Sequence, residues 1–331
     1  MAEAGTYRAI VCTTLGGIEQ LELRRLARAP LPPNSVRVAI KAAGLNFPDV
    51  LMVRGAYQHR PALPFVPGLE AAGIVSEVAG EAASVAVGDR VIVQMRTGAY
   101  AEEAVVGAEQ VRPMPPTFSF AEAATFLVAH LTAYHALKSR ADLSNGQTLL
   151  VLGAAGGVGL AALQIGKVLG ARVIAAASSA DKLSAAQGMG ADALIDYVGE
   201  PLAAAVQRLT AGAGADVVFD PVGVAAPAAL RCLAWNGKLL IVGFSGGSIP
   251  AHAANRILLK AATVIGVRAG EAGRKDPALR QQELAALQAL ARQGRIKPMV
   301  SAQFALEQCG EAMRLLAERR AIGRIALITA P

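Results

Sequence analysis

Cysteine is scarce: Cys12, Cys232 and Cys309 are the only three in 331 residues, far apart and odd in number. There is no CxxC pair, so neither a disulfide framework nor a cysteine-rich structural zinc lobe can be read, and a reducing cytoplasm is the expected compartment. Aromatic residues are also few, at 4%, and charged residues make up 17% against 53% hydrophobic. That balance excludes a mainly disordered chain. No clean long apolar run exists; the best membrane candidate, residues 149–165, is broken by glycines and carries Gln164. The first residues include Glu3 and Arg8 without an apolar block, so no secretory leader is expected. The net charge of +7 comes from scattered Lys and Arg without an interleaved aromatic platform. Nucleic acid is therefore not an expected partner.

What is present is Ala, Val and Leu in a repeating order. The length favours two domains. From 148 to 267, short apolar runs (149–152, 172–177, 193–197, 216–220, 238–242 and 263–267) alternate with Ala-rich helical stretches (157–169, 181–188, 201–211 and 227–234). This is the rhythm of a doubly wound parallel α/β sheet, a Rossmann domain. The last link, 245–262, contains Pro250 and reads as partly loop. Upstream, 36–42 alternates apolar and polar residues, and 73–78, 89–93 and 99–106 are further strand candidates between turn-rich segments. That part reads as an antiparallel, barrel-like domain. After 267 the pattern predicts helices over 279–293 and 306–318 and a strand over 324–328, with the C-terminal segment returning to the first domain.

The strongest local motif is Gly153-Ala154-Ala155-Gly156-Gly157-Val158-Gly159, after one predicted strand and opening a helix. Small residues let the backbone turn tightly and approach a pyrophosphate, whose charge the free N–H groups and helix dipole stabilise. Strand before, helix after and further βα repeats raise this above a helix-packing glycine cluster. At the end of the second strand, where an NAD site usually has an acid, the chain has Ser178 and Ser179, then Asp181 and Lys182. A hydroxyl and an ammonium favour a 2′-phosphate and hence NADPH. Asp181 argues the other way, although it is also placed to open the next helix.

These residues carry a family likeness. Ala43-Gly44-Leu45-Asn46-Phe47-Pro48-Asp49, Pro67-Gly68-Leu69-Glu70-Ala71-Ala72-Gly73, Val87-Gly88-Asp89-Arg90-Val91, Leu131-Thr132-Ala133-Tyr134 and the glycine motif together resemble the zinc-independent quinone oxidoreductases. These form the zeta-crystallin branch of the medium-chain dehydrogenase/reductase superfamily. The likeness runs nearly end to end, and 233–260 looks most like the quinone oxidoreductase-like proteins. It implies a GroES-like β-barrel catalytic domain over 1–124, completed by 268–331, and an NADP-binding Rossmann domain over 125–267. Zinc enzymes of the superfamily carry Cys where Asn46 stands and His where Leu69 stands, and no soft ligand stands near Val128. Catalytic zinc needs about three protein ligands, so none is expected. His59, His130, His135 and His252 show no ligand spacing.

Without a Lewis acid the chemistry suits electron-poor acceptors, quinones or α,β-unsaturated carbonyls, with a donor needed for the charge growing on oxygen. The resemblance points to Tyr57 and Asn46 at the acceptor; the plainer alternatives are a pocket-shaping loop aromatic and a helix cap. For the cofactor it implies Thr132 facing the nicotinamide, and Ala155, Gly156, Gly157 and Val158 at the pyrophosphate. Ser178, Lys182 and Tyr197 fall at the 2′-phosphate, and Gly243, Phe244, Val267 and Arg268 about the nicotinamide ribose. Enoyl thioester reduction, or a crystallin-like cofactor-binding role without catalysis, are the alternatives. Gly243-Phe244-Ser245-Gly246-Gly247 also fits the hydrolase pattern GxSxG, but Gly246, Gly247 and Pro250 oppose the helix that a nucleophile elbow needs. A homodimer pairing 263–267 edge to edge is expected, since an exposed apolar edge strand needs covering.

Overall fold

The computed structural model describes residues 5–80, 85–223 and 226–329. It divides into two units, residues 1–128 with 297–331 and residues 129–296. In the first unit, β1 (Thr6–Cys12) and β2 (Leu21–Ala27) form a two-stranded antiparallel sheet. Then come β3 (Ser35–Gly44), α1 (Phe47–Val53), β4 (Glu70–Val78), β5 (Arg90–Gln94), β6 (Glu103–Gly107), β7 (Val111–Pro113) and α2 (Phe120–Ala124). Helix α3 (Leu127–Tyr134) runs across the boundary and continues as a π-helical segment over His135–Arg140.

The second unit then alternates β8 (Thr148–Leu152), α4 (Gly157–Val168), β9 (Arg172–Ala177), α5 (Ala180–Gly188), β10 (Ala193–Asp196), α6 (Leu202–Leu209), β11 (Ala215–Asp220), α7 (Ala226–Cys232), β12 (Leu233–Ile241), α8 (Ala254–Lys260) and β13 (Thr263–Gly266). It closes on α9 (Ala269–Lys275) and α10 (Pro277–Arg292). The chain returns to the first unit as β14 (Val300–Ala305), α11 (Cys309–Ala317) and β15 (Arg324–Ile328).

The second unit's sheet is parallel, in the order β10-β9-β8-β11-β12-β13. Its burial explains the order. β8, β9 and β11 are nearly continuously buried, as central strands covered on both faces must be. β13 is nowhere buried and stands at an edge. Helix α4 approaches β8 closely because Gly159 and Gly166 lack side chains: a Cβ at Gly159 would lie 2.4 Å from the Gly153 carbonyl oxygen, and one at Gly166 2.7 Å from Leu149. The first unit's larger sheet runs β14-β15-β3-β4-β5-β7, with β6 also on β3, and is antiparallel except for the parallel pair β14–β15. Its core gathers Val36, Val38 and Ile40 of β3, Val91 and Val93 of β5, and Ile325 and Leu327 of β15.

Several expectations shift. Residues 268–296 belong with the second unit, because α9 and α10 pack within it; the return to the first unit begins at 297, not 268, and the first crossing falls after 128, not 124. The strand expected over 99–106 begins at Glu103, since the Ala99 and Tyr100 N–H groups turn back to the Gly68 and Pro67 carbonyls. β12 starts five residues early. β1, β2, α1, β14 and α9 were not expected from the sequence pattern.

Candidate functional site

In a parallel doubly wound sheet the carboxyl ends of the strands form one edge, where ligands bind. The loops leaving that edge carry most of the expected cofactor residues. After β8, Gly153 takes a φ of 56° and Gly156 sits at the N-cap of α4, with no side chain capping the first-turn N–H groups around Gly157 and Val158. Ala155 is buried in the loop. A phosphate cradled by these N–H groups would supply the missing acceptor.

After β9, Lys182 Nζ lies 3.4 Å from Ser178 Oγ, and Ser179 caps α5 by accepting from the Lys182 N–H. Asp181 is exposed in the first turn, in keeping with a helix-opening role. Tyr197 follows β10, the neighbour of β9, and its N–H donates to the Ala177 carbonyl next to Ser178. Ser178, Lys182 and Tyr197 thus lie just past the ends of the adjacent strands β9 and β10. Gly243 and Phe244 follow β12, and Val267 and Arg268 follow β13, with the Val267 N–H donating to Ile241 at the end of β12. Thr132 is half-buried on α3.

Asp220, not foreseen, and Ser245, the serine of the GxSxG pattern, organise this edge. Asp220 Oδ1 accepts from the Val222 and Gly223 N–H groups, shaping the loop after β11, and burial pushes its carboxyl up. Ser245 then donates Oγ–H and N–H to the Pro221 carbonyl at 3.0 and 3.1 Å. Ser245 is therefore a loop clamp. With α8 beginning only at Ala254, it has no nucleophile-elbow geometry.

In the first unit, Asn46 is the N-cap of α1 and is 3% exposed. Its N–H donates to Asp49 Oδ2 at 2.9 Å, the return half of a capping box. Its side chain does not cap the helix but enters a buried charged network. Asn46 Nδ2 donates to Glu70 Oε1 at 3.1 Å and more distantly to the Gly44 carbonyl, and Asn46 Oδ1 accepts from Arg324 Nη2 at 3.0 Å. Arg324 Nη2 also reaches Glu70 Oε1 at 2.5 Å, and its Nε donates to the Thr125 carbonyl. Glu70 Oε2 accepts the Val128 N–H. Burial pushes Glu70 up and the adjacent Arg324 is the main opposing influence. Asp49 is raised to about 7, chiefly by burial, against the lowering effect of the Tyr100 hydroxyl that donates to it at 2.7 Å. Tyr57 follows α1 by a short turn and packs half-buried against the core; the network around Asn46 does not take in its hydroxyl.

The donor set does not fit zinc. Asn46 and Leu69 offer no soft ligand, and both Glu70 oxygens already accept hydrogen bonds. Among the described residues no group of three or more His, Cys, Asp or Glu could hold a metal ion. His135 instead pairs with Glu283 at 2.7 Å, both buried. The three cysteines are buried and free.

Comparison with known proteins agrees with this layout. The alcohol dehydrogenase GroES-like domain matches residues 32–120, and a zinc-binding dehydrogenase domain matches 157–291. The quinone oxidoreductase-like protein 2 homolog of Nematostella vectensis is 38% identical, over 98% of this chain and 89% of its own length. A probable oxidoreductase from Mycobacterium abscessus superposes with a TM-score of 0.90 at 37% identity, covering 99% of this chain and all of the other. Escherichia coli quinone oxidoreductase in complex with NADPH superposes with a TM-score of 0.89 at 30% identity, over 97% of this chain and 100% of its own.

Proposed function

The chain belongs to the medium-chain dehydrogenase/reductase superfamily, with the quinone oxidoreductase-like proteins, and on that premise we propose that it is an NADPH-dependent reductase of quinones or α,β-unsaturated carbonyls that works without a metal. The observation that carries the reading is the contact of Lys182 with Ser178 at the end of β9, with Tyr197 just past the end of the neighbouring β10 and an uncapped glycine loop after β8. An ammonium and a hydroxyl at that place suit the 2′-phosphate that distinguishes NADPH from NADH.

When bound, NADPH supplies two electrons and a hydrogen as hydride to an electron-poor carbon of the acceptor. The protein's own residues do the rest. The N–H groups of Gly157 and Val158 would hold the pyrophosphate, and Gly243, Phe244, Val267 and Arg268 would lie about the nicotinamide ribose. Tyr57 donates a hydrogen bond to the acceptor's carbonyl oxygen as negative charge grows there, with the final proton coming from Tyr57 or from solvent. Asn46, held rigidly at the start of α1, shapes the acceptor's surroundings. Asn46 and Leu69 offer no soft ligand for a zinc ion, so in this reading hydrogen bonding supplies the charge stabilisation.

Assay of NADPH and NADH with a panel of quinones, enones and enoyl-CoA thioesters tests the reading. Turnover with NADPH is expected for at least one quinone or enone. Tight NADPH binding with no turnover across the panel would mark a cofactor-binding protein without catalysis.

A further inference from the structure

The residues around Asn46, which lie outside the zinc-binding dehydrogenase match over 157–291, do not fit a zinc ion, yet the place is far from featureless. It is a buried, charged and closely packed cluster. Arg324 and Glu70, 254 residues apart in sequence, are respectively 6% and 0% exposed and meet at 2.5 Å. A buried ion pair of this kind is weak evidence for stability, because desolvating both charges offsets most of their attraction. Its geometry points to another use. The groups that hydrogen-bond Glu70 are all donors: a guanidinium, an amide and the backbone N–H groups of Val128 and Leu127. Every contact on Asn46's amide is to a group that fixes which end is which, with oxygen to the cation and nitrogen to the carboxylate and, more distantly, the Gly44 carbonyl. The backbone has made room for this: a Cβ at Gly44 would lie 2.3 Å from the Ala124 carbonyl oxygen and 3.0 Å from Glu70 Oε1.

We propose that Arg324 is the positioning residue of the acceptor site, its guanidinium serving as the fixed cation that, with Glu70, locks the Asn46 amide in one orientation and so anchors the start of α1. The anchoring reaches Tyr57. Asn46 and Asp49 define the first turn of α1, the Gly55 and Ala56 N–H groups close its last turn on Met52 and Leu51, and Tyr57 is the next residue. A seven-residue helix with a loose start cannot hold the tyrosine beyond its far end to within the fraction of an ångström that a preorganised donor requires. Arg324 does this from β15, so the C-terminal strand is part of the acceptor site's construction. The inference rests on the acceptor-site reading above for its functional consequence, and on the hydrogen bonds alone for the lock itself.

The test separates the two. In Arg324→Met the buried Glu70 loses its cation; in Arg324→Met/Glu70→Gln the charge imbalance is removed while the lock stays broken. The single variant should lose thermal stability and about tenfold or more in kcat on an enone, with NADPH affinity unchanged. The double variant should regain most of the stability and little of the kcat. Recovery of kcat together with stability would show that the pair only balances charge and would overturn the proposal, as would an unchanged kcat in the single variant. A readout independent of turnover is the Asn46 side-chain amide in asparagine-labelled protein, assigned by its loss in Asn46→Ala. It should exchange slowly with solvent in the wild type and fast in the double variant. Equal exchange in both overturns the lock whatever the enzyme reduces. A wild type that reduces no acceptor but shows the exchange difference refutes the functional reading and leaves the lock standing.

Discussion

Replacing Lys182 by alanine should weaken NADPH binding about ten- to a hundredfold and leave NADH binding within about twofold. The ammonium is anchored at the end of β9 by its contact with Ser178 Oγ at 3.4 Å, on the loop where an NAD site usually carries its acid. Two unit charges about 4 Å apart interact by about 1 kcal/mol in water and about 4 kcal/mol at the effective dielectric of a protein surface. Lys182 is half-buried, which places its contact with a phosphate between these limits. A hydrogen bond to a charged group contributes about 1.5–3 kcal/mol, and each 1.4 kcal/mol is about tenfold in affinity. The neighbouring Asp181 is exposed and would repel the phosphate, so Asp181→Asn should tighten NADPH modestly. Nucleotide fluorescence titration at low and high salt measures both, and the discrimination should shrink as salt screens the contact. A wild type that prefers NADH, or a Lys182→Ala that weakens both nucleotides equally, would refute the assignment of this loop to a 2′-phosphate.

Tyr57→Phe should lower kcat on enones by on the order of 10²-fold, with a smaller loss on quinones, whose aromatic product stabilises its own charge, and with NADPH affinity unchanged; equal turnover of both classes in variant and wild type would reduce Tyr57 to a pocket wall. Asp49 is held at about 7 in the fold, above the value near 4 of an unfolded chain, so between these pH values the folded state keeps a proton that the unfolded state has lost. Wild-type stability relative to Asp49→Asn should therefore be greatest below about pH 4 and fall by up to ~4 kcal/mol as pH rises through 7, read by urea unfolding at several pH values; a pH-independent gap would contradict it. The edge position of β13, together with Leu258 and Leu259, 78% and 72% exposed on the helix leading into it, predicts a homodimer through this edge. Sedimentation as a monomer at micromolar concentration would count against that assembly.

The second unit was legible because its physics is local. β8, β9 and β11 are buried on both faces and centre on short apolar runs, 149–152, 173–177 and 217–219, and Gly153 to Gly159 sits at a strand-to-helix junction that the same short stretch defines. The first unit was less so. β2 reads Leu-Glu-Leu-Arg-Arg-Leu-Ala with mostly exposed residues, and it is a strand because β1 pairs with it. The acceptor-site residues show the limit most clearly. Asn46 and Tyr57 were proposed from family motifs, but the groups that hold Asn46 lie 24 residues away at Glu70 and 278 away at Arg324, a distance over which no local pattern operates. The one local hint was the Asn46-to-Asp49 spacing of a capping box. Arg324, a charge at the head of an apolar strand, had no visible reason to be there until its partners were seen.

Hydride transfer from NADPH to an activated acceptor at a metal-free site is tested by tracing the hydrogen itself. NADPH carrying deuterium on each face of nicotinamide C4 in turn, single-turnover conditions, an enone acceptor and a strong chelator are all that is needed. Deuterium from one of the two faces is expected at the β-carbon of the product, at a rate the chelator does not change. A reduced product without the label from either face, a detectable acceptor radical, or activity that disappears with the chelator and returns with zinc would contradict it.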